Sequence, residues 1–145
     1  MIMMEENEET RVIEFKKEGV IFTFPKSLDK IFVERLECPR LPVRRPIIKV
    51  KLIQITDMET YKGEVEDMFE LKVYFKDADL SNPKVNGDYK KLDLQYQLEG
   101  STKWVSCKEK HDLSLEEYKT PINGWLGHGI AKIQQWEDPL IAWGP

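Results

Sequence analysis

The chain has 145 residues, 41% hydrophobic and 33% charged. This composition excludes a disordered chain and fits one domain able to bury roughly 68% of its unfolded surface without metal or disulfide staples. Its formal net charge of -4 argues against a general nucleic-acid or anionic-membrane binder, because such proteins need surplus Lys and Arg to displace counterions.

The N-terminal MIMMEENEET lacks a basic segment followed by an apolar core, and no run approaches the roughly 18 apolar residues of a membrane span, so no signal peptide or transmembrane segment is expected. Alanine stands only at Ala78, Ala131 and Ala142, while Val, Ile, Thr, Tyr, Phe and Trp abound, as on pleated, half-buried surfaces. After the acidic tail, RVIEFKKEGVIFTFP reads as a hairpin whose turn, Lys16 to Gly19, ends on a glycine. SLDKIFVERLE sets Leu28, Ile31, Phe32, Arg35 and Leu36 at helical spacing behind Ser27, a good N-cap. It predicts a short helix, although Ile31 to Val33 also fit a strand. In CPRLPVRRP the prolines Pro39, Pro42 and Pro46 remove backbone donors and force an extended connector. It divides the chain into an N-terminal extension, residues 1–45, and a main domain, residues 46–145.

Beyond the connector the apolar period is two. IIKVKLIQIT predicts a strand, and MFELKVYF alternates Phe69, Leu71, Val73 and Phe75 on one face with Glu70, Lys72 and Tyr74 on the other. DADLSNPKVNGDYK is dense in turn formers, Asn86-Gly87 above all. LDLQYQL then turns Leu92, Leu94, Tyr96 and Leu98 inward and Asp93, Gln95 and Gln97 outward. Gly100 to Thr102 leads into KWVSCKE, and the Ser114 to Glu117 spacing in SLEEY suits one helical turn. GIAKIQQW and LIAW close the chain as two strands split by Glu137 to Pro139. About seven short strands without βαβ alternation imply an all-β antiparallel sandwich or barrel with an N-terminal hairpin and short helix.

LDLQYQLEGSTKWVSC, where Tyr and Leu alternate before a short glycine turn and a tryptophan, resembles a strand pair of immunoglobulin-like and fibronectin type III modules. EYKTPINGWLGHGIAKIQQW is similar in layout to their E-turn-F region. The resemblance spans residues 46–145, without the usual leucine-proline turn before the F strand and with Trp104 after the turn rather than in the preceding strand. It implies an immunoglobulin-like β-sandwich of a type that mostly binds other proteins or builds extended and particulate assemblies. A fold alone assigns no site.

Trp125, Trp136 and Trp143 read either as stacking platforms or as core. Ile130, Ile133, Leu140 and Ile141 are interleaved with them, which favours burial, with Trp125 the exception because glycines flank its segment. Cys38, Cys107, His111 and His128 would complete a two-Cys, two-His zinc set. No CxxC or HxxxH anchor joins them, so no metal, no cofactor and no catalytic residue is expected; Cys38 and Cys107 could pair, although a domain of this size does not need the bridge. The glycines of GWLGHG lack the strand-then-helix setting of a phosphate loop. Pro39, Pro42 and Arg44 match a PxxPxR ligand for an SH3-type groove. The more economical reading is a stiff strap whose Arg40, Arg44 and Arg45 meet acidic groups of a neighbour, the tail Glu5 to Glu9 being one candidate.

These readings converge on a non-enzymatic structural or interaction subunit of a homo-oligomeric or multi-subunit assembly. A virion capsid, decoration or tail component is its most concrete version. The N-terminal arm clasps neighbouring proteins, with Arg40, Arg44, Arg45 and Trp125 as partner-binding residues. The alternative is a carbohydrate-binding module whose glycan stacks on exposed tryptophans, and a small hydrolase or metal protein stands third.

Overall fold

Period-two alternation of branched and aromatic side chains with polar ones is what a strand needs to bury one face and wet the other, and it recurs along most of the chain. The computed structural model describes residues 10–25, 31–41, 46–54, 59–60, 64–98, 100–135 and 139–145. The strands are β1 (Thr10–Phe15), β2 (Val20–Pro25), β3 (Ile31–Leu36), β4 (Pro46–Gln54), the short β5 (Glu59–Thr60) and β6 (Glu64–Phe75). They continue with β7 (Asp93–Gln97), the short β8 (Val105–Ser106), β9 (Ser114–Ile122), β10 (Trp125–Gln135) and β11 (Leu140–Gly144). Single helical turns, α1 (Asp77–Leu80) and α2 (Cys107–Lys110), and a 3₁₀ turn at Tyr89–Lys91 interrupt them.

Every pairing is antiparallel. Sheet 1 runs β1-β2-β6-β10-β9, and sheet 2 runs β3-β4-β11-β7-β8, with β5 added on β4. The architecture is an all-β sandwich. The pairings nest, since β4 lies beside β11, β6 beside β10 and β7 beside β11. The last two strands therefore sit inside the two sheets, where β11 is buried from Leu140 to Gly144.

Two elements differ from the sequence expectation. The residues read as a short helix, from Ile31 onward, form β3: Ile31 and Val33 are buried while Phe32 and Glu34 face out, a period of two. All six residues pair with β4 in register, and Ile and Val are better accommodated in a strand than in a helix. Ser27 and Leu28 lie outside the described residues. The second difference is at Ser114–Tyr118, which is part of β9 and pairs with β10 rather than forming a helical turn. The turn forms instead at α2, where the Ser106 Oγ accepts the Glu109 N–H at 3.2 Å.

The segment before residue 46 places β1 and β2 in sheet 1 and β3 in sheet 2. Val20, Phe22, Phe24, Ile31 and Val33 belong to the same buried cluster as Leu52, Leu71 and Ile133. Arg11 of β1 donates to the Ile31 carbonyl of β3, and Arg35 of β3 pairs with Glu18 in the β1–β2 turn, so that flank of the sandwich is tied by two guanidinium groups.

Inside, β10 turns Gly127, Gly129, Ala131 and Ile133 toward the core. The two glycines leave a hollow that large rings fill. A Cβ on Gly127 would come within 2.1 Å of the Glu116 carbonyl oxygen and 2.5 Å of the Phe75 ring. One on Gly129 would come within 2.7 Å of the Trp143 ring. Phe75 and Trp143 meet edge to face, centroids 5.9 Å apart, a favoured aromatic geometry.

Two outcomes follow. A chain starting at Pro46 lacks five of the buried side chains and one whole edge of each sheet, and is expected to show poor amide dispersion and no cooperative thermal transition, whereas the full chain unfolds cooperatively. Gly127→Ala is expected to lower stability by about 3 kcal/mol or more, because the opposing carbonyl is backbone and cannot rotate away. The midpoint of urea unfolding reads this loss, and an unchanged midpoint contradicts the close approach.

Candidate ligand-binding cleft at Trp125

The hairpin between β9 and β10 places the tryptophan. Ile122 pairs with Trp125 across two residues, and both, Asn123 at φ 51 and Gly124 at φ 84, adopt positive φ. This is the type I′ geometry for which Asn-Gly is the preferred pair. Trp125 thus starts β10 next to the end of β6, with its ring 5.7 Å from that of Tyr74 at an interplanar angle of 29°.

The pair is held from behind. Gly19, at φ +73, ends the β1–β2 turn, and a Cβ there would fall 2.7 Å from the Trp125 ring. The indole therefore rests on bare backbone, at a conformation that L side chains rarely adopt. The Gly19 carbonyl accepts the Tyr74 N–H at 2.8 Å, and the Tyr74 carbonyl accepts the Trp143 Nε1–H at 3.0 Å. Cations flank the rings: Lys76 Nζ lies 5.6 Å from the Trp125 centroid and Lys72 Nζ 5.2 Å from that of Tyr74, within cation–π range. The aromatic row continues through His128, edge-on to Tyr74 at 6.1 Å, and its Nδ1 shares a 2.5 Å hydrogen bond with the Tyr118 hydroxyl.

A cleft opens on each side of the indole, and both share Lys17, Tyr74 and Trp125 as walls. The smaller, about 200 Å³, is completed by Glu18, Pro46, Ile47, Lys76 and Asp79. The larger, about 440 Å³, is completed by Glu14, Lys16, Gly19, Ile122 and Asn123. Lys16, Lys17 and Lys76 thus stand against Glu14, Glu18 and Asp79, a lining of both signs. Ile122 at the rim is 55% exposed.

A second polar cluster lies around β7. Asp93 and Gln95, expected to face water, are buried. The Asp93 carboxylate accepts the Gln95 amide at 3.0 Å and the Lys108 backbone N–H of α2 at 3.1 Å, so the helical turn covers it. Burial, and after it the Asp93 charge, push the neighbouring Cys107 thiol up to about 12, which keeps it protonated and without nucleophilic character. Tyr96, pushed up to about 12 by burial, shares a 2.7 Å hydrogen bond with His111 Nε2. His111 also bonds the Lys132 backbone of β10 and so bridges the two sheets.

The four residues of a Cys-His zinc set sit in separate places. Cys107 lies beside Asp93, His111 on Tyr96, His128 on Tyr118, and Cys38 near Glu18 and Lys49. Both cysteines are free, and no group of three metal-ligating side chains occurs among the described residues. Of the tryptophans, Trp143 is buried, and Trp104 and Trp125 are half-buried. Arg40 is exposed after β3. Arg44, Arg45, Trp136 and the tail Glu5 to Glu9 lie outside the described residues. Sequence reading singled out Trp125 but passed over Tyr74, Lys17 and Lys76. The Asn123-Gly124 pair was the local signal for the hairpin, whereas the approach of Gly19 to Trp125 is tertiary.

No known family model matches the chain, and neither curated proteins nor solved structures yield a match.

Burial holds both imidazoles below the ordinary value of 6.5; Lys72 adds to the effect at His128, and Lys110 adds a smaller part at His111. Between the folded and unfolded pKa values the unfolded chain binds more protons, so this stability is present above about 6.5 and is lost as pH falls through the folded values. Glu116 and Glu70 face His128 and offset part of the shift. Thermal melts from pH 8 down to pH 5 are therefore expected to show a falling Tm below about 6.5, with a shallower fall in His111→Gln, His128→Gln.

Proposed function

We propose that the protein is a non-enzymatic structural or interaction subunit of a larger protein assembly, with a virion or similar particle component as the most concrete form. The single observation that carries this reading is the outer face of sheet 1. Across its strands Ile21, Lys72 and Ile130 stand in one row, and Tyr74, His128 and Glu116 in the next. Half-buried apolar and aromatic groups between charged ones make a mixed surface of the kind used in protein contacts. Helical turn α2 packs on β7 and β8 of the other sheet and leaves this face alone. Val12, 59% exposed on the edge strand β1, extends apolar surface to the flank of this face.

Because β1 to β3 are built into both sheets, clasping of a neighbour falls to the acidic tail and to the strap bearing Arg40, Arg44 and Arg45. Opposite charge on tail and strap supports such an exchange between copies. The likeness of residues 46–145 to immunoglobulin-like modules enters as an analogy of architecture, and the surface carries the function. No reaction is assigned: the buried thiol is held protonated and the two imidazoles are engaged by tyrosines.

Sedimentation analysis of the full chain tests the proposal. A defined oligomer is expected, shifting toward monomer when Arg40, Arg44 and Arg45 are changed together to Glu and when residues 1–9 are removed. A full chain that stays monomeric at high concentration and co-purifies with no partner protein overturns it.

A further inference from the structure

We infer that the Trp125 cleft is a binding site for a neutral oligosaccharide. The inference goes beyond the assembly reading; the two share Tyr74, and their tests read different quantities, sugar binding here and oligomeric state there. Three observations carry it.

The first is shape. Two clefts of about 200 and 440 Å³ meet across one indole and share Lys17, Tyr74 and Trp125. Two neighbouring clefts with three wall residues in common suit a chain of linked rings better than a single small molecule. The second is chemistry. A pyranose has an apolar face of C–H groups and a rim of hydroxyls that both donate and accept. Trp125, half-buried and stacked with Tyr74, gives both clefts an aromatic wall for that face. Glu14 and Asp79 accept, Lys17 and Lys76 donate, and Asn123 does both, which answers the rim. The third is charge. Three lysines and three carboxylates line the two clefts, Glu18 among them already paired with Arg35, so a strongly charged ligand of either sign meets like charge as well as opposite charge, whereas an uncharged polyol does not.

The platform is also set before any ligand arrives. Gly19 supports the indole edge, and the Tyr74 backbone is bonded on one side to Gly19 and on the other to Trp143. A rigid aromatic surface loses little conformational freedom on binding, which is how a shallow site reaches useful affinity.

The test is a ¹H–¹⁵N titration of the full chain with cellotriose, maltotriose and triacetylchitotriose, with inorganic phosphate and a glutamate-rich peptide as controls. At least one trisaccharide is expected to shift the Trp125 indole N–H and the Tyr74 amide. Trp125→Ala is expected to weaken that sugar about tenfold or more, and Lys17→Ala severalfold. Should Trp125→Ala lose its amide dispersion, Trp125→Phe and Lys17→Ala decide: a weakened sugar supports the site, an unchanged one overturns it. Silence of the indole N–H with all three sugars overturns it, and so does a response to phosphate or peptide alone. Neither failure touches the oligomeric state, on which the assembly proposal rests.

Discussion

The sandwich turns on one indole that crosses its interior. Trp143 belongs to β11 at the centre of sheet 2, yet its Nε1–H is bonded to the Tyr74 carbonyl of β6 in sheet 1. A buried indole N–H without an acceptor is unfavourable by roughly 1–3 kcal/mol, and a ring of that size buries more surface than any aliphatic side chain. Both demands are met only if the facing strand leaves room, and β10 does so for the indole with Gly129 and for the neighbouring Phe75 ring with Gly127.

This constraint explains why the candidate cleft lies where it does. Tyr74 is both the acceptor of the interior indole and the outward neighbour of Trp125, so core and surface share a backbone unit. The β1–β2 turn closes on the same residue through the Gly19 carbonyl. Three segments far apart in sequence are thus pinned at one point, and the aromatic pair inherits the rigidity of the core. At the opposite side of the sandwich His111 performs a similar joining role, between Tyr96 of β7 and the Lys132 backbone of β10.

Much of the fold was legible in the sequence because strands announce themselves by alternation. MFELKVYF buries the face it was expected to bury, with Phe69, Leu71, Val73 and Phe75 inside. Where the reading departed from the structure, a local pattern competed with a tertiary one. In IFVERL the three- and four-residue spacings mimic a helix, and pairing with β4 decides for the strand. Two S-x-x-E spacings occur, at Ser106–Glu109 and Ser114–Glu117, and only the first caps a turn; the second lies where β10 offers a partner strand. Asp93 and Gln95 obeyed alternation yet are buried, because α2 folds back over them, an event no period in β7 encodes. For the cleft, Trp125 and its hairpin were readable, while the glycine beneath the indole takes its meaning from a contact across the sheet.

Among the described residues, Cys107, His111 and His128 are engaged in contacts that hold the structure. The Cys107 thiol is pushed up to about 12 by burial and by Asp93, and Asp93 itself anchors α2. Each histidine is bonded to a tyrosine hydroxyl, His111 between the sheets and His128 on the face of sheet 1. A nucleophile needs an adjacent base free to take its proton, and neither imidazole faces the thiol in that way. Lys17, Lys76, Glu14 and Asn123 line the clefts beside Trp125, together with Glu18, which pairs with Arg35, and Asp79, which accepts the Lys76 backbone N–H. Their walls combine a preset aromatic pair with groups that donate and accept hydrogen bonds, the features by which a concave site selects what it holds.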